Sequence, residues 1–384
     1  MKIGILTIQH SANYGACLQC FALWRYLTDA GYNAEIIDLH RPHGHADYIP
    51  SKRFRRSRKI NRTFLGKIKM FLKGVLGIKE PFHSLFNPEA KPAFDRFNSL
   101  MKLGPTYRGI DEMYANPPVY DVYMAGSDQL WNPTLAYCVE PYFLTFVSKK
   151  DGAVKLSYAT SLGVSELLEK EKCDYKRWLE DFTAISVREK QAQQLLNSFV
   201  DKKIEQVADP TFLLDNSVWK DLAVKPQEEG YVMLFTLSPM PEMLDYARRI
   251  QRESGKILIV VGQKEPDACD DNYIVVKNAG PSEWLGYIAN ADLVLTNSFH
   301  CTVFSLLLGA KNFFTYIAAR DQRGSRITDL FSLYGLNDHL LNGELVKSFA
   351  ELETIQLDHD HINKIYQAEQ MRSRAYLLKN LGHA

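Results

Sequence analysis

The sequence lacks any apolar run close to the roughly 20 residues that a membrane-spanning helix requires. It opens with MKIGILTIQH, which passes from one lysine into strand-like residues without the apolar region and cleavage site of a signal peptide. Its six cysteines are scattered along 384 residues, so no disulfide framework is indicated. These absences predict a cytoplasmic protein without a membrane span.

The first predicted loop, TIQHSANYGACLQ, lacks the paired glycines with which dinucleotide-binding enzymes approach a pyrophosphate. Gly15 stands there alone, although Asp38 ends the next strand, where a ribose-binding acid would stand. NAD and FAD are therefore disfavoured, and no cofactor is expected. The loop directs Asn13 and Tyr14 at a helix start, a place that suits an anion or a sugar hydroxyl.

The formal net charge is only +1, but one stretch is strongly basic. Residues 51–62, SKRFRRSRKINR, contain seven basic residues and no acid, and Lys67, Lys69 and Lys73 follow. Residues 52–73 are either a solvated loop or a surface for anionic phospholipid or a pyrophosphate-bearing substrate. Nucleic acid is disfavoured because few aromatic residues interleave with these basic ones.

The order of the predicted elements indicates an α/β protein with two Rossmann-like doubly wound domains that face a cleft, as in the GT-B architecture. A length of 384 residues exceeds the roughly 250 to 300 at which one core stops growing. We expect a first domain at 1–222 with a basic helical insertion at about 42–100, a second domain at 223–354, and a helical tail at 355–384 that crosses back to brace the first domain.

Several polar residues follow predicted strands, at the edge where open α/β sheets bind ligands. Arg188 follows the strand of ISVREKQ and either pairs with Glu189 or points a guanidinium into the cleft, where it would hold a carboxylate or phosphate at two points. Asp128 and Gln129 in AGSDQLWN either cap a turn or bind sugar hydroxyls.

His300 lies between a predicted strand and an apolar helix, in LTNSFHCTVFSLLLG. It is either a helix-start residue satisfied by the backbone or a general acid or base, since its pKa is ordinarily near 6.5. Arg320, Arg323 and Arg326 follow on a loop that enters a helix, which suits either an anionic ligand or a solvated face.

Six segments in this order resemble the polysaccharide pyruvyl transferase family, from residue 1 to about 340. They are SANYGACLQCFAL, DVYMAGSDQLWN, SYATSLG, ISVREKQ, VADPTFLL and ADLVLTNSFHCTVFSLLLG. The resemblance implies transfer of a pyruvyl group from phosphoenolpyruvate to two hydroxyls of a sugar, which forms a cyclic ketal and releases phosphate, in exopolysaccharide or capsule synthesis.

The resemblance, together with the charges of phosphoenolpyruvate and the polar residues noted above, assigns roles to individual residues. His300 and Arg188 match the family's histidine and arginine and are the predicted catalytic residues. Arg188, Ser298, Arg323 and Arg326 are predicted to bind phosphoenolpyruvate in a site assigned mainly to the second domain, and the acceptor residues are assigned to the first: Asn13, Tyr14, Asp128, Gln129 and Ser161. Ser298 and Cys301 depart from the arginine and glycine of many members, and Ala16 replaces an aspartate, so Asp128 is the expected substitute.

Two other functions remain open: a GT-B glycosyltransferase that uses a nucleotide sugar, and a non-catalytic scaffold in polysaccharide assembly. The acceptor is either a free or a lipid-linked saccharide, and in the second case the protein is expected at the inner membrane surface. No metal site is predicted, because His40, His43 and His45 near Asp47 lie in a Pro- and Gly-containing loop. The pair Cys17 and Cys20 is interpreted as buried helix residues rather than a redox motif.

Overall fold

The computed structural model describes residues 1–9, 13–41, 45, 47–49, 51, 88–135, 140–147, 152–262, 272–318 and 325–382. The basic segment 52–73, predicted as a membrane or substrate contact, lies outside the described residues, and so do Arg320, Arg323 and His43. Among the described residues, no helix combines the length and the apolar character needed to cross a membrane.

The first half of the chain forms a parallel sheet with the strand order β3-β2-β1-β4-β5. Two further short parallel strands, β6 and β7, continue this sheet through bridges from Leu156 to Ala184 and from Thr160 to Val187. An order that runs outward in both directions from β1 is that of a doubly wound sheet. The strands are β1 (Lys2–Leu6), β2 (Asn33–Leu39), β3 (Leu103–Tyr107), β4 (Val122–Ala125), β5 (Val154–Ser157), β6 (Ile185–Val187) and β7 (Ile204–Gln206).

The second half repeats this arrangement in a six-stranded parallel sheet with the order β10-β9-β8-β11-β12-β13. Its first strand, β8, again lies in the interior, with the chain winding outward on both sides. The strands are β8 (Tyr231–Phe235), β9 (Ile257–Val261), β10 (Tyr273–Val276), β11 (Leu293–Thr296), β12 (Phe313–Ile317) and β13 (Leu340–Asn342).

Helices connect the strands in both halves, as parallel pairing requires. In the first half they are α1 (Tyr14–Asp29), α2 (Lys91–Asn98), α3 (Ile110–Ala115), α4 (Glu169–Leu179) and α5 (Lys190–Asn197). In the second half they are α6 (Asn216–Leu222), α7 (Pro241–Ser254), α8 (Pro281–Asn290), α9 (Phe299–Leu308), α10 (Ser325–Tyr334), α11 (Phe349–Thr354) and α12 (His359–Leu381). Short 3₁₀ helices occupy Pro88–Ala90, Glu140–Phe143, Pro210–Leu213 and Asn337–His339.

The predicted fold class is therefore confirmed: the chain is an α/β protein with two Rossmann-like doubly wound sheets. The strands are nearly continuous apolar runs because helices cover both sheet faces. All five residues of β8 and all four of β11 are buried. Strand β3, which follows the predicted insertion and extends the first sheet at its edge, was not anticipated from the sequence.

The C-terminal helix α12 lies against the first half of the chain. The Tyr376 hydroxyl donates to the carbonyl of Ser157 at the end of β5, at 3.0 Å. The Gln370 amide donates to the carbonyls of Phe212 and Leu214, and Ser373 accepts from the amide of Ala208. The helix thereby fixes the segment that follows β7, where part of the candidate site lies.

Candidate active site

Three side chains meet where the two halves of the chain face each other: Arg188 after β6, Asp209 after β7, and His300 after β11. Arg188 Nη1 donates to Asp209 Oδ2 at 2.7 Å, and His300 Nε2 lies 3.4 Å from the same oxygen. Each residue directly follows the carboxyl end of a parallel strand or begins the next helix, which is where open α/β sheets place their ligand sites. The structure therefore brings the two predicted catalytic residues together on one carboxylate.

Asp209 is the centre of this group and is almost completely buried. It caps the 3₁₀ helix Pro210–Leu213, since Oδ1 accepts from both the amide and the hydroxyl of Thr211, at 3.1 and 2.9 Å. Burial alone would raise the pKa of Asp209, but His300 and Arg188 outweigh this effect and hold the pKa well below its ordinary value. The carboxylate is therefore charged at neutral pH.

Arg188 is buried rather than extended into open solvent. Its Nε donates to Glu189 Oε1 at 3.0 Å, and its guanidinium stacks 4.9 Å from the ring centre of Phe299. Burial opposes the charge, yet the carboxylates of Glu189, Asp209 and Asp128 raise the pKa of Arg188 above its ordinary value. The predicted two-point grip on a ligand does not fit this geometry, because Nε and Nη1 already serve carboxylates; Nη2 has no hydrogen-bond partner among the described residues.

His300 occupies the first turn of α9, a helix whose other nine residues are buried. Its ring packs against Gly15 at the start of α1: a Cβ added at Gly15 would lie 2.1 Å from His300 Nδ1. Phe299 packs edge-on to the ring at 5.2 Å. Two helix starts from different halves of the chain thus meet at this histidine, and the absence of a side chain at Gly15 makes that approach possible.

A pocket of about 70 Å³ opens beside the cluster. Arg326, in the first turn of α10, lines this pocket. Its guanidinium lies 5.4 Å from the centre of the Phe299 ring, over which Arg188 also stacks. Asp329 also lines it, and its pKa is raised by burial and by the nearby Glu189. The pocket therefore combines a guanidinium and a carboxyl of raised pKa beside the His300 cluster. Its lining residues are Arg188, Glu189, Gln206, Val207, Ala208, Asp209, Phe212, Phe299, Arg326, Asp329, Leu330, Leu333, Tyr334 and Glu369.

Tyr14 differs from its predicted role as an acceptor contact. Its ring is buried and stacks on Trp284 of the second half, with ring centres 5.0 Å apart, and its hydroxyl donates to the carbonyl of Ala279 at 2.8 Å. Burial raises the pKa of this hydroxyl above its ordinary value. Tyr14 therefore joins the two halves of the chain, while its neighbour Asn13 caps α1 by accepting from the amide of Ala16 at 3.2 Å.

The other predicted acceptor residues lie in the loops that follow β4 and β5. Asp128 has a left-handed backbone (φ 73°), and its carboxylate accepts from the amide of Gln129. The Gln129 side chain in turn accepts from Asn132. Ser161 is fully buried, and its hydroxyl has no hydrogen-bond partner among the described residues. Because Ser161 is buried, its hydroxyl does not reach the surface where an acceptor would bind. Asp128, in contrast, lies close enough to Arg188 to raise the pKa of that guanidinium.

Of the residues predicted to bind phosphoenolpyruvate, Ser298 is buried and serves as the N-cap of α9, where its hydroxyl accepts from the amide of Cys301 at 3.4 Å. Arg326 lines the pocket, as described above, and Arg323 lies outside the described residues. Of these two arginines, Arg326 is therefore the one for which the structure gives a position, and it lines the pocket beside the cluster.

Sequence reasoning missed Asp209 and assigned Glu189 only as a partner of Arg188. The segment VADPTFLL contained a usable signal, because an aspartate before a proline at the start of a helical turn is a typical N-cap. That signal indicates a cap, however, and does not indicate a contact with a histidine of the other half.

Two further clusters bear on the predictions about metals and cysteines. Asp38, His40 and His45 place possible ligand atoms within 4.8 Å of one another, but the two imidazole rings stack in parallel at 3.8 Å. Because a histidine binds a metal in the plane of its ring, one ion cannot serve both without a rotation. Cys17 and Cys20 are buried, and burial raises the pKa of both thiols, that of Cys17 to about 12, so this pair is unsuited to redox chemistry.

Solved structures of similar fold support the two-domain architecture. They include UDP-GlcNAc 2-epimerase from Neisseria meningitidis bound to UDP-GlcNAc, 9% identical with a TM-score of 0.55 over 100% of both chains. CalG4, the calicheamicin glycosyltransferase, is 13% identical with a TM-score of 0.52, over 99% of this chain and 98% of that one. The glycotransferase of kitacinnamycin is 12% identical with a TM-score of 0.51, also over 99% and 98%. At these identities the likeness shows the fold alone, and it confirms the GT-B-like arrangement.

Sequence comparisons address the family directly. A search of curated proteins found no match. A family model described as polysaccharide pyruvyl transferase matches residues 13–317, a range that contains Arg188, Asp209 and His300. Since this match covers most of the chain, the protein belongs to the polysaccharide pyruvyl transferase family and is a transferase.

Proposed function

We propose that this protein transfers the pyruvyl group of phosphoenolpyruvate to two hydroxyls of a saccharide, giving a cyclic ketal and phosphate. One proton adds to C3 of phosphoenolpyruvate, and one saccharide hydroxyl forms a bond to C2 and gives up its own proton, so that the first step adds O and H across the C2–C3 double bond. The second hydroxyl then displaces phosphate from C2, and its proton leaves with the phosphate. The reaction needs a proton donor at C3 and fixed positive charge around the phosphate and carboxylate.

The observation that carries this proposal is the meeting of His300 and Arg188 at Asp209, beside a pocket that Arg326 also lines. His300 is the proposed proton donor, since it is the titratable residue at the start of α9 that reaches the cluster. Arg326 and the remaining nitrogen of Arg188 are the proposed cations for phosphoenolpyruvate, together with Arg323 and the hydroxyl of Ser298. Asn13, Asp128 and Gln129 are proposed for the acceptor.

The decisive experiment is incubation of the protein with phosphoenolpyruvate and a panel of free and lipid-linked saccharides, followed by mass spectrometry. The expected product is heavier than the acceptor by one pyruvyl ketal, and phosphate appears in equal amount. A thermal-shift comparison of phosphoenolpyruvate with UDP- and GDP-sugars tests the competing glycosyltransferase function. Stabilisation by a nucleotide sugar and none by phosphoenolpyruvate would overturn the proposal.

Replacement of His300 tests its role in the reaction. We expect His300→Gln to lower phosphate release from phosphoenolpyruvate by at least about 100-fold, because glutamine keeps the polar bulk but cannot deliver a proton at neutral pH. The matched control is His361→Gln, which changes an exposed histidine on α12. Wild-type turnover in His300→Gln would show that His300 is not the proton donor.

A lipid-linked acceptor and a position at the inner membrane surface are part of the same proposal. The support is the basic composition of residues 51–62 in the sequence. Flotation with vesicles that contain anionic lipid should retain the wild-type protein more strongly than a variant with neutral residues at these basic positions. Equal partitioning of the two proteins would exclude the membrane contact.

A further inference from the structure

We infer that Asp209 is a positioning residue that holds the His300 ring with Nε2 toward its carboxylate, so that Nδ1 is the nitrogen that carries the transferred proton. This inference rests on the proposed function, in which His300 is the proton donor. It specifies which ring nitrogen of His300 carries the transferred proton and which residue selects that nitrogen.

The Asp209 carboxylate cannot turn away from His300, because each of its oxygens is occupied. Oδ1 accepts from the amide and hydroxyl of Thr211, and Oδ2 accepts from Arg188 Nη1 at 2.7 Å. Arg188 is itself held by Glu189 and by the ring of Phe299. Oδ2 therefore stays in a fixed place, 3.4 Å from His300 Nε2.

The two nitrogens of His300 have different surroundings. Nε2 is buried and lies 3.4 Å from Asp209 Oδ2, but it is not aligned with that oxygen for a hydrogen bond. A small rotation of the ring would align the two atoms. Nδ1 lies on the opposite side of the ring, over Gly15 at the start of α1. Unlike Nε2, it is not a buried atom without a hydrogen-bond partner.

These surroundings select a tautomer. A charged carboxylate accepts but does not donate, so the nitrogen that faces it must carry hydrogen. In neutral His300 the hydrogen then sits on Nε2, and Nδ1 presents a lone pair. When His300 is protonated, the additional proton is on Nδ1, and that is the proton available to C3 of phosphoenolpyruvate.

The variant Asp209→Asn removes the charge that fixes this preference, with little change in volume. Its side chain has one acceptor oxygen, whereas the carboxylate serves donors on both oxygens. If the amide nitrogen takes the place of Oδ2, the hydrogen bond from Arg188 Nη1 is lost, and the nitrogen donates toward His300 Nε2 and favours hydrogen on Nδ1. The matched control is Asp215→Asn, which removes an exposed carboxylate paired with Arg374.

The primary test is two-bond 15N–1H correlation spectroscopy of the full chain labelled at its ten histidines, with His300 assigned by the signals that His300→Gln lacks. We expect neutral His300 in the wild-type protein to carry hydrogen on Nε2, and the same in Asp215→Asn. A bare Nε2 in the wild-type protein would overturn the inference. This readout needs no substrate, so it remains decisive if Asp209→Asn folds poorly or the protein forms no ketal.

The second test is kinetic. We expect Asp209→Asn to lower kcat for ketal formation by about 100- to 10,000-fold, because the His300 ring is no longer fixed with Nε2 toward a carboxylate. An unchanged kcat with a hydrogen shifted to Nδ1 would show that the tautomer does not matter and would overturn the inference. Absence of ketal formation in the wild-type protein would instead contradict the proposed function and leave the spectroscopic result to stand by itself.

Discussion

At the scale of single residues, the site depends on one buried carboxylate shared by two cationic or potentially cationic groups. Asp209 is charged in a position from which water is excluded, and such a charge is tolerated only with close, hydrogen-bonded partners. Arg188 and Thr211 provide those partners from the same half of the chain. Because these partners already fix the Asp209 carboxylate, its contact with His300 requires no additional loss of conformational entropy from that side chain.

The charge of Asp209 predicts an acid-sensitive part of the stability. Its pKa in the folded chain lies below the ordinary value of 3.8, so its stabilising contribution is complete above that value and is lost as the pH falls toward the folded pKa. We expect the melting temperature of the wild-type protein to exceed that of Asp209→Asn at about pH 5, and this margin to shrink below about pH 4. Calorimetry of both proteins at each pH checks this, and a margin that persists undiminished at about pH 3 would contradict it.

At the scale of elements, the starts of α1 and α9 approach each other closely. Helix α1 is capped by Asn13 and α9 by Ser298, and each carries a small or polar residue in its first turn. Gly15 allows the His300 ring to lie directly on α1, since its Cα has no side chain. The position of the proposed proton donor is thus set by two helices from different halves of the chain.

This contact predicts that Gly15→Ala is harmful, although alanine is ordinarily the better helix residue by about 0.5–1 kcal/mol. The added Cβ would lie 2.1 Å from Nδ1 and 2.4 Å from Cγ of His300, so the ring must move. We expect a loss of about 1–3 kcal/mol in the free energy of unfolding, together with a large loss of ketal formation. Chemical denaturation and the phosphate-release assay measure the two effects.

A double-mutant cycle separates this clash from any other effect of the alanine. In the His300→Ala background Nδ1 and Cγ are gone, and the Cβ of residue 300, at 2.9 Å, remains the main close neighbour. The destabilisation by Gly15→Ala should therefore be clearly smaller in that background. An equal cost in both backgrounds would mean that the contact with His300 is not the cause.

At the scale of the whole molecule, aromatic packing and a long helix join the two halves of the chain. Tyr14 of α1 stacks on Trp284 of α8 and also contacts Phe235 edge-on, at 5.6 Å. Helix α12 follows the second half in sequence but makes its hydrogen bonds to the first, as with Tyr376 to Ser157. Both features restrict relative movement of the residues that form the candidate site.

The packing role of Tyr14 predicts a split between stability and substrate binding. Tyr14→Phe loses the hydrogen bond to Ala279 but keeps the stack, so we expect a cost of about 1 kcal/mol in the free energy of unfolding. Tyr14→Ala also removes the ring and should cost about 3–5 kcal/mol. In the Tyr14→Phe protein, KM for the saccharide acceptor should stay at the wild-type value; a raised KM with unchanged stability would restore the acceptor-binding role that the sequence suggested.

Local patterns in the sequence determined the fold class, the alternation of strands and helices in both halves, and the presence of a C-terminal helix. Those features depend on hydrophobic periodicity and on residues such as Ser298 and Gly309, which begin and end α9 through short-range contacts. The resemblance of ordered segments also selected His300 and Arg188 as candidate site residues; Arg188 directly follows β6, and His300 is the second residue of α9.

Only the tertiary structure decided what these residues contact. His300 meets Asp209 and Gly15 because two separately wound sheets face each other, and no local pattern contains that distance. The same packing turned Tyr14 from a predicted acceptor contact into a buried link to Trp284, and tied Arg188 to two carboxylates. Backbone periodicity determines which side chains that are close in the sequence share a face of a helix or strand. The environment of a charged group depends instead on which distant parts of the chain pack around it and exclude water.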